Sequence, residues 1–276
     1  MPEYSGLAFQ TISSEQISAI TKRQFTVIQL LENLMKRRRL PETDIANLAF
    51  LPEGQKRRVL ESWLEPKESR GSYDPQRLTM GDAVNQQLPL VAEAQLHTPW
   101  HKLESLVRRR CRGNEKLLAM NLPVARATHA FASERNLKAY ALDARPLNFP
   151  HCDPYEFASP LIVTYDEKPR LVFLDLRRTG GLSVHARRVV MSAQDVRVRE
   201  RYPELRNAGL EIWRYRNTEL RLIEVTSYEN EPLYSYEELS LDFASTYKIM
   251  NELRAGHSDG ARAANDRSAG PLFDVG

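Results

Sequence analysis

The chain has 276 residues, of which 42% are hydrophobic, and its 39 basic and 36 acidic side chains leave a formal charge of only +3. That length gives room for two modest domains, and the small net charge excludes the whole-molecule field of a dedicated polyanion binder. No run of about 18 apolar residues occurs, and Met1-Pro-Glu-Tyr lacks the basic-then-apolar order of a secretory leader. A cytoplasmic location away from membranes is expected. Cys111 and Cys152 lie far apart, without metal-type or disulfide-framework spacing, which suits a reducing compartment.

In chain order, Ile17, Ile20, Phe25, Ile28, Leu31 and Leu34 recur at helical intervals, and Pro41 ends that segment. Short helices follow over 42–51 and 54–64, then a linker rich in Gly, Ser, Pro and charge over 66–75. A helical stretch over 78–96 is interrupted at Pro89, and a stronger helix spans 99–112 with Trp100, Leu103, Leu106 and Val107 on one side and arginines on the other. Another helix is expected from Pro123 to Leu142. The period then changes to two: an extended piece over 146–149, strands over 159–165 and 170–177 joined by turn residues Asp166 to Pro169, and strands over 210–215 and 219–225. Between the hairpin and the last two strands, His185 to Met191 reads as a strand or the lead-in to a helix, and Gln194 to Asn207 as a helix closing at Gly209. A last helix covers 235–253.

The expected organisation is a basic helical domain (1–115), a mixed α/β core (116–233), a C-terminal helix (234–253) and a disordered polar tail (254–276). The fold class is α+β or α/β. Three basic clusters stand out, Lys36-Arg37-Arg38-Arg39, Lys56-Arg57-Arg58 and Arg108-Arg109-Arg110-Cys111-Arg112. Each is a candidate phosphate contact, with a solvated helix face as the plain alternative. Arg37, Arg38, Arg39, Arg108, Arg109, Arg110 and Arg112 are the candidate nucleic-acid-binding residues.

Helix, hairpin, helix and strand follow one another as in the restriction-endonuclease-like core, where a hairpin gathers acidic groups around Mg²⁺. At Ser133-Glu134, Pro160-Leu161 and Asp175-Leu176-Arg177 the chain resembles the TnsA-like endonuclease subunits of Tn7-type transposases, over roughly residues 130 to 215. The resemblance implies Glu134 and Asp175 as Mg²⁺ ligands, and Glu134, Asp175 and Arg177 as catalytic residues. Leu161 stands where that family has an aspartate, and Arg177 where it has a lysine, which unlike arginine gives up its proton. On their own the residues read more plainly. Glu134 is placed for a surface pair with Lys138, Asp175 for a buried salt bridge with Arg177 two residues on, and His151-Cys152-Asp153 for a loop turn. The expected function is a DNA-acting subunit of a mobile-element or defence system with protein partners, its core cutting DNA with Mg²⁺ or holding DNA without cutting. The alternative is a noncatalytic nucleic-acid-binding assembly or replication accessory protein with no cofactor. An unrelated metabolic enzyme ranks third.

Overall fold

A computed structural model describes residues 39–65, 72–87, 97–230 and 232–268. The helix predicted from the spacing of Ile17 to Leu34, with Arg37 and Arg38, lies outside them. Contacts divide the chain into Met1–Leu40 and Pro41–Gly276, so the helices on either side of residue 115 belong to the same unit.

That second unit begins with short helices. Pro41 and Pro52 precede α1 (Glu42–Leu48) and α2 (Glu53–Leu64), as expected where a missing N–H costs nothing. Next come α3 (Asp74–Leu78) and α4 (Met80–Ala83). The helical stretch predicted over 78–96 stops early, because Asn85 takes a left-handed φ of 56° and Gln86 then bridges Ala139. Residues 88–96 of that stretch lie outside the described set.

Helix α5 (Trp100–Cys111) buries Leu103, Val107 and Cys111 and ends at Arg112, itself left-handed. Helix α6 (Glu115–Glu134) starts before the predicted point, since the Asn114 side chain accepts the Leu117 N–H at 3.0 Å and sets the N-terminus there. Pro123 is tolerated inside it. Beyond Asn136, at φ 46°, the chain becomes a strand where a helix was expected.

The sheet has five strands in the order β1 (Lys138–Ala141), β2 (Leu161–Tyr165), β3 (Lys168–Asp175), β4 (Gly209–Tyr215) and β5 (Ile223–Ser227). All neighbours are antiparallel except β3 and β4, which run parallel from Arg170 opposite Gly209 to Asp175 opposite Arg214. The β2–β3 hairpin closes through Asp166 and Glu167, both with positive φ, the turn that matches strand twist. A parallel pair needs a crossover, here α7 (Val184–Gln194), whose N-cap Ser183 accepts the Ala186 N–H at 3.1 Å. The predicted helix after Gln194 is a π-helical turn, Asp195–Arg199, followed by a 3₁₀ turn, Pro203–Leu205. Last, α8 (Tyr236–Ser268) runs past residue 253, where the sequence reading placed the start of a tail.

Alternation along the strands sorts the core into two layers. Phe131 and Ala132 of α6 pack with Leu161, Val163, Tyr165, Val172 and Trp213 on one face. On the α7 side, Gln194 donates to the Leu171 and Glu211 carbonyls at 3.1 and 3.3 Å. The helical start, five-stranded mixed sheet and C-terminal helix agree with the expected fold class.

Candidate functional site

The acid and the guanidinium at the end of β3 are both committed to the fold. Asp175 is 1% exposed, and its Oδ2 accepts the Leu182 N–H at 2.9 Å, folding the Leu176–Leu182 loop back over the strand end. Gly181 packs so closely that a Cβ there would stand 2.6 Å from that oxygen. Arg177 turns instead to α1: its Nη2 donates to Asp44 Oδ2 at 2.8 Å and its Nη1 to Asp44 Oδ1. Burial lowers the Arg177 pKa, but the hydrogen bond and charge of Asp44 more than offset it, holding the group above its ordinary value. Asn47 pins the same loop, donating to the Gly181 carbonyl and accepting the Ser183 N–H. The expected Asp175–Arg177 salt bridge is therefore replaced by two separate anchors.

Glu134 is not brought to this place. Strand register puts Lys138 opposite Thr164 and Thr164 opposite Pro169, so the C-terminus of α6 lies at the end of the sheet where β3 begins. Six residues of β3 separate that end from Asp175, about 20 Å. The two also use opposite faces, since Val172 and Leu174 pack toward α6 and the odd-numbered Asp175 points away. The three residues singled out from the sequence do not assemble one Mg²⁺ site. Among the described residues no group of three or more His, Cys, Asp or Glu side chains is placed to hold a metal ion. His151 takes a left-handed φ of 61° in a turn, and burial followed by the charge of Asp153 pushes the Cys152 thiol up to about 12, away from nucleophilic use.

The basic clusters have different fates. Lys56 is 2% exposed and paired with Asp242 at 2.6 Å; Arg57 reaches Glu252 at 2.7 Å and Glu53 at 3.6 Å. Packing consumes most of that cluster's charge. Arg39 is exposed at the end of the first unit. Along α5 and at its end, Arg108, Arg109, Arg110 and Arg112 are all exposed, and among the described residues only Arg108 is held by a carboxylate, Glu104 at 2.8 Å.

Several buried polar groups gave no sequence signal, because their partners are remote in the chain. Glu211, 1% exposed, gathers Tyr165, Arg170 and Trp213. Arg197 of the π-helical turn donates to the carbonyls of Ala144, Arg145 and Glu156 at 2.7 to 3.1 Å. Tyr155 and Tyr247 share a hydrogen bond, and Tyr247 donates to Asp153 at 2.8 Å. All of these tie loops and helices to the core.

The buried charges described above are committed to the architecture, and comparison with known proteins places the chain in a family. Residues 43–258 match the family model described as sliding clamp-binding bacterial toxin SocB, and the chain belongs to that family. It is 29% identical over 231 residues to the DNA replication inhibitor toxin SocB of Caulobacter vibrioides (strain NA1000 / CB15N), an alignment covering 83% of this chain and 95% of that protein. No solved structure matches the chain. Family membership overturns the kinship with TnsA-like endonuclease subunits, and with it the reading as an endonuclease-like, transposition-linked subunit of a mobile element. The hairpin and the strand that follows Gly209 were read correctly, but the resemblance built on them carried the wrong activity, since one architecture hosts many functions. Among the described residues no helix is long and apolar enough to cross a membrane.

Proposed function

We propose that this chain is a bacterial toxin that halts DNA replication by binding the sliding clamp, acting in the cytoplasm where the chromosome is copied. The observation that carries the reading is the family match over 43–258, together with a relative aligned over 95% of its length whose name states replication inhibition. The separation of Glu134 from Asp175 supports inhibition by occupancy of a partner. A noncatalytic protein acting on the replication machinery is also the alternative that the residues themselves suggested.

The test is direct binding. When the purified chain and the sliding clamp of its own host are mixed and run on a sizing column, they are expected to co-elute. An excess of a peptide that occupies the clamp's partner-binding site should release the toxin. Separate elution at micromolar concentrations of both proteins would remove the clamp as target.

A further inference from the structure

Helix α5 and the turn into α6 carry a surplus of positive charge larger than that of the whole chain. Between Lys102 and Lys116 there are six cations, Lys102, Arg108, Arg109, Arg110, Arg112 and Lys116, against two carboxylates, Glu104 and Glu115, a surplus of four. The entire chain carries +3, so everything outside this segment is net −1. All six cations are exposed. Only Arg108 is engaged, by Glu104; among the described residues no ion pair holds the other five.

Helical geometry arranges these charges. At 100° per residue, Lys102, Arg108 and Arg109 fall within a sector of roughly 120°, on the side away from the buried Leu103, Val107 and Cys111. Lys102 and Arg112 are separated by about 15 Å of helix axis. A duplex presents about nine phosphates over that length of its own axis. Four of the six cations are arginines, whose planar fork fits a phosphate through two parallel N–H donors.

What the face lacks is also informative. Protein–protein interfaces have an apolar core inside a polar rim. The large exposed hydrophobic side chains of the described residues, such as Val59, Val184, Leu220 and Leu241, all lie on other elements, and α5 has none. Cations without an apolar anchor suit a phosphate backbone, read through charge and not through base edges.

We propose that the exposed face of α5 and the α5–α6 turn is a sequence-independent binding surface for the phosphates of duplex DNA. The proposal stands apart from clamp binding and is tested without the clamp. Fluorescence anisotropy of a labelled duplex, titrated with the full chain from about 50 to about 200 mM salt, is expected to show binding that weakens with a log–log slope of about −3 to −4. Two duplexes of unrelated sequence should bind alike. Replacing Arg109, Arg110 and Arg112 together by glutamate should abolish binding at the lower salt. The milder pair Arg109→Gln and Arg112→Gln should reduce the slope by about 2, and circular dichroism of each variant should match the parent. Absence of binding at low salt overturns the proposal, as does undiminished binding by the correctly folded glutamate variant. If that variant keeps the duplex but loses the clamp, the face is a protein-docking surface and the proposal also falls.

Discussion

Replacing Glu211 by alanine is expected to destabilise the protein by about 3–5 kcal/mol, the scale for breaking one side of a buried charge pair. Its carboxylate is 1% exposed on β4 and accepts from Tyr165 Oη at 2.7 and 2.8 Å, from Arg170 Nη1 at 2.9 Å and from Trp213 Nε1 at 3.0 Å. One side chain thus satisfies donors on β2, β3 and β4. Arg170 also lies 4.0 Å from the Tyr165 ring centroid, so its guanidinium is held between a π face and a carboxylate. Without the acid, a phenol and an indole N–H lose their acceptor, and a cation with 17% side-chain exposure keeps only the exposed Asp166 carboxylate at 3.8 Å. At about 2–4 °C per kcal/mol for a chain of this size, the melting temperature should fall by about 6–20 °C. Glu211→Gln, which keeps one acceptor oxygen, should cost distinctly less. A loss under about 1 kcal/mol for the alanine variant in urea unfolding would show that the three donors find other partners.

A loss of similar size, about 3–5 kcal/mol, is expected for Asp242→Ala, because it strands the Lys56 ammonium in the interface between α2 and α8. Lys56 Nζ, 2% exposed, lies 2.6 Å from Asp242 Oδ1, with Ser245 Oγ at 3.5 Å and the Asp242 carbonyl at 3.4 Å. Neither remaining oxygen carries a full charge to balance it. Two ions taken out of water repay their desolvation only while both are present. Accordingly, the double replacement Lys56→Met with Asp242→Leu should recover most of the loss, since apolar side chains of similar volume fill the space without a buried charge. A double variant as unstable as Asp242→Ala alone would place the effect in packing and not in the unpaired charge.

The legible parts of this fold were those where pattern and period agree over a whole element. The β2–β3 hairpin followed from alternating apolar residues on either side of Asp166-Glu167, and α5 from apolar residues at helical spacing closed by Gly113. Where two signals overlapped, the stronger one misled. Pro123 reads as a helix start because proline favours the first turn, yet the capping Asn114 sets the true start of α6 at Glu115, eight residues earlier. Strand β1 was hidden because its four residues continue the apolar spacing of the helix before it.

The site was less legible than the fold for a different reason. Asp175 was correctly marked as an unusual acid in an apolar strand, but its use is set by the Leu182 backbone, and that of Arg177 by Asp44, 133 positions away. A linear pattern carries no information on such pairings. The three basic clusters look alike in sequence. Only the structure separates Lys56, drawn into the interior by Asp242, from the open arginines of α5.

The decisive measurement is nascent DNA synthesis after the chain is induced in its host, followed by labelled-thymidine incorporation with and without extra sliding clamp. Incorporation should stop soon after induction, recover when the clamp is overproduced, and leave plasmid DNA supercoiled throughout. Continued synthesis after induction, or an arrest that surplus clamp leaves untouched, would contradict a toxin that works by occupying that ring.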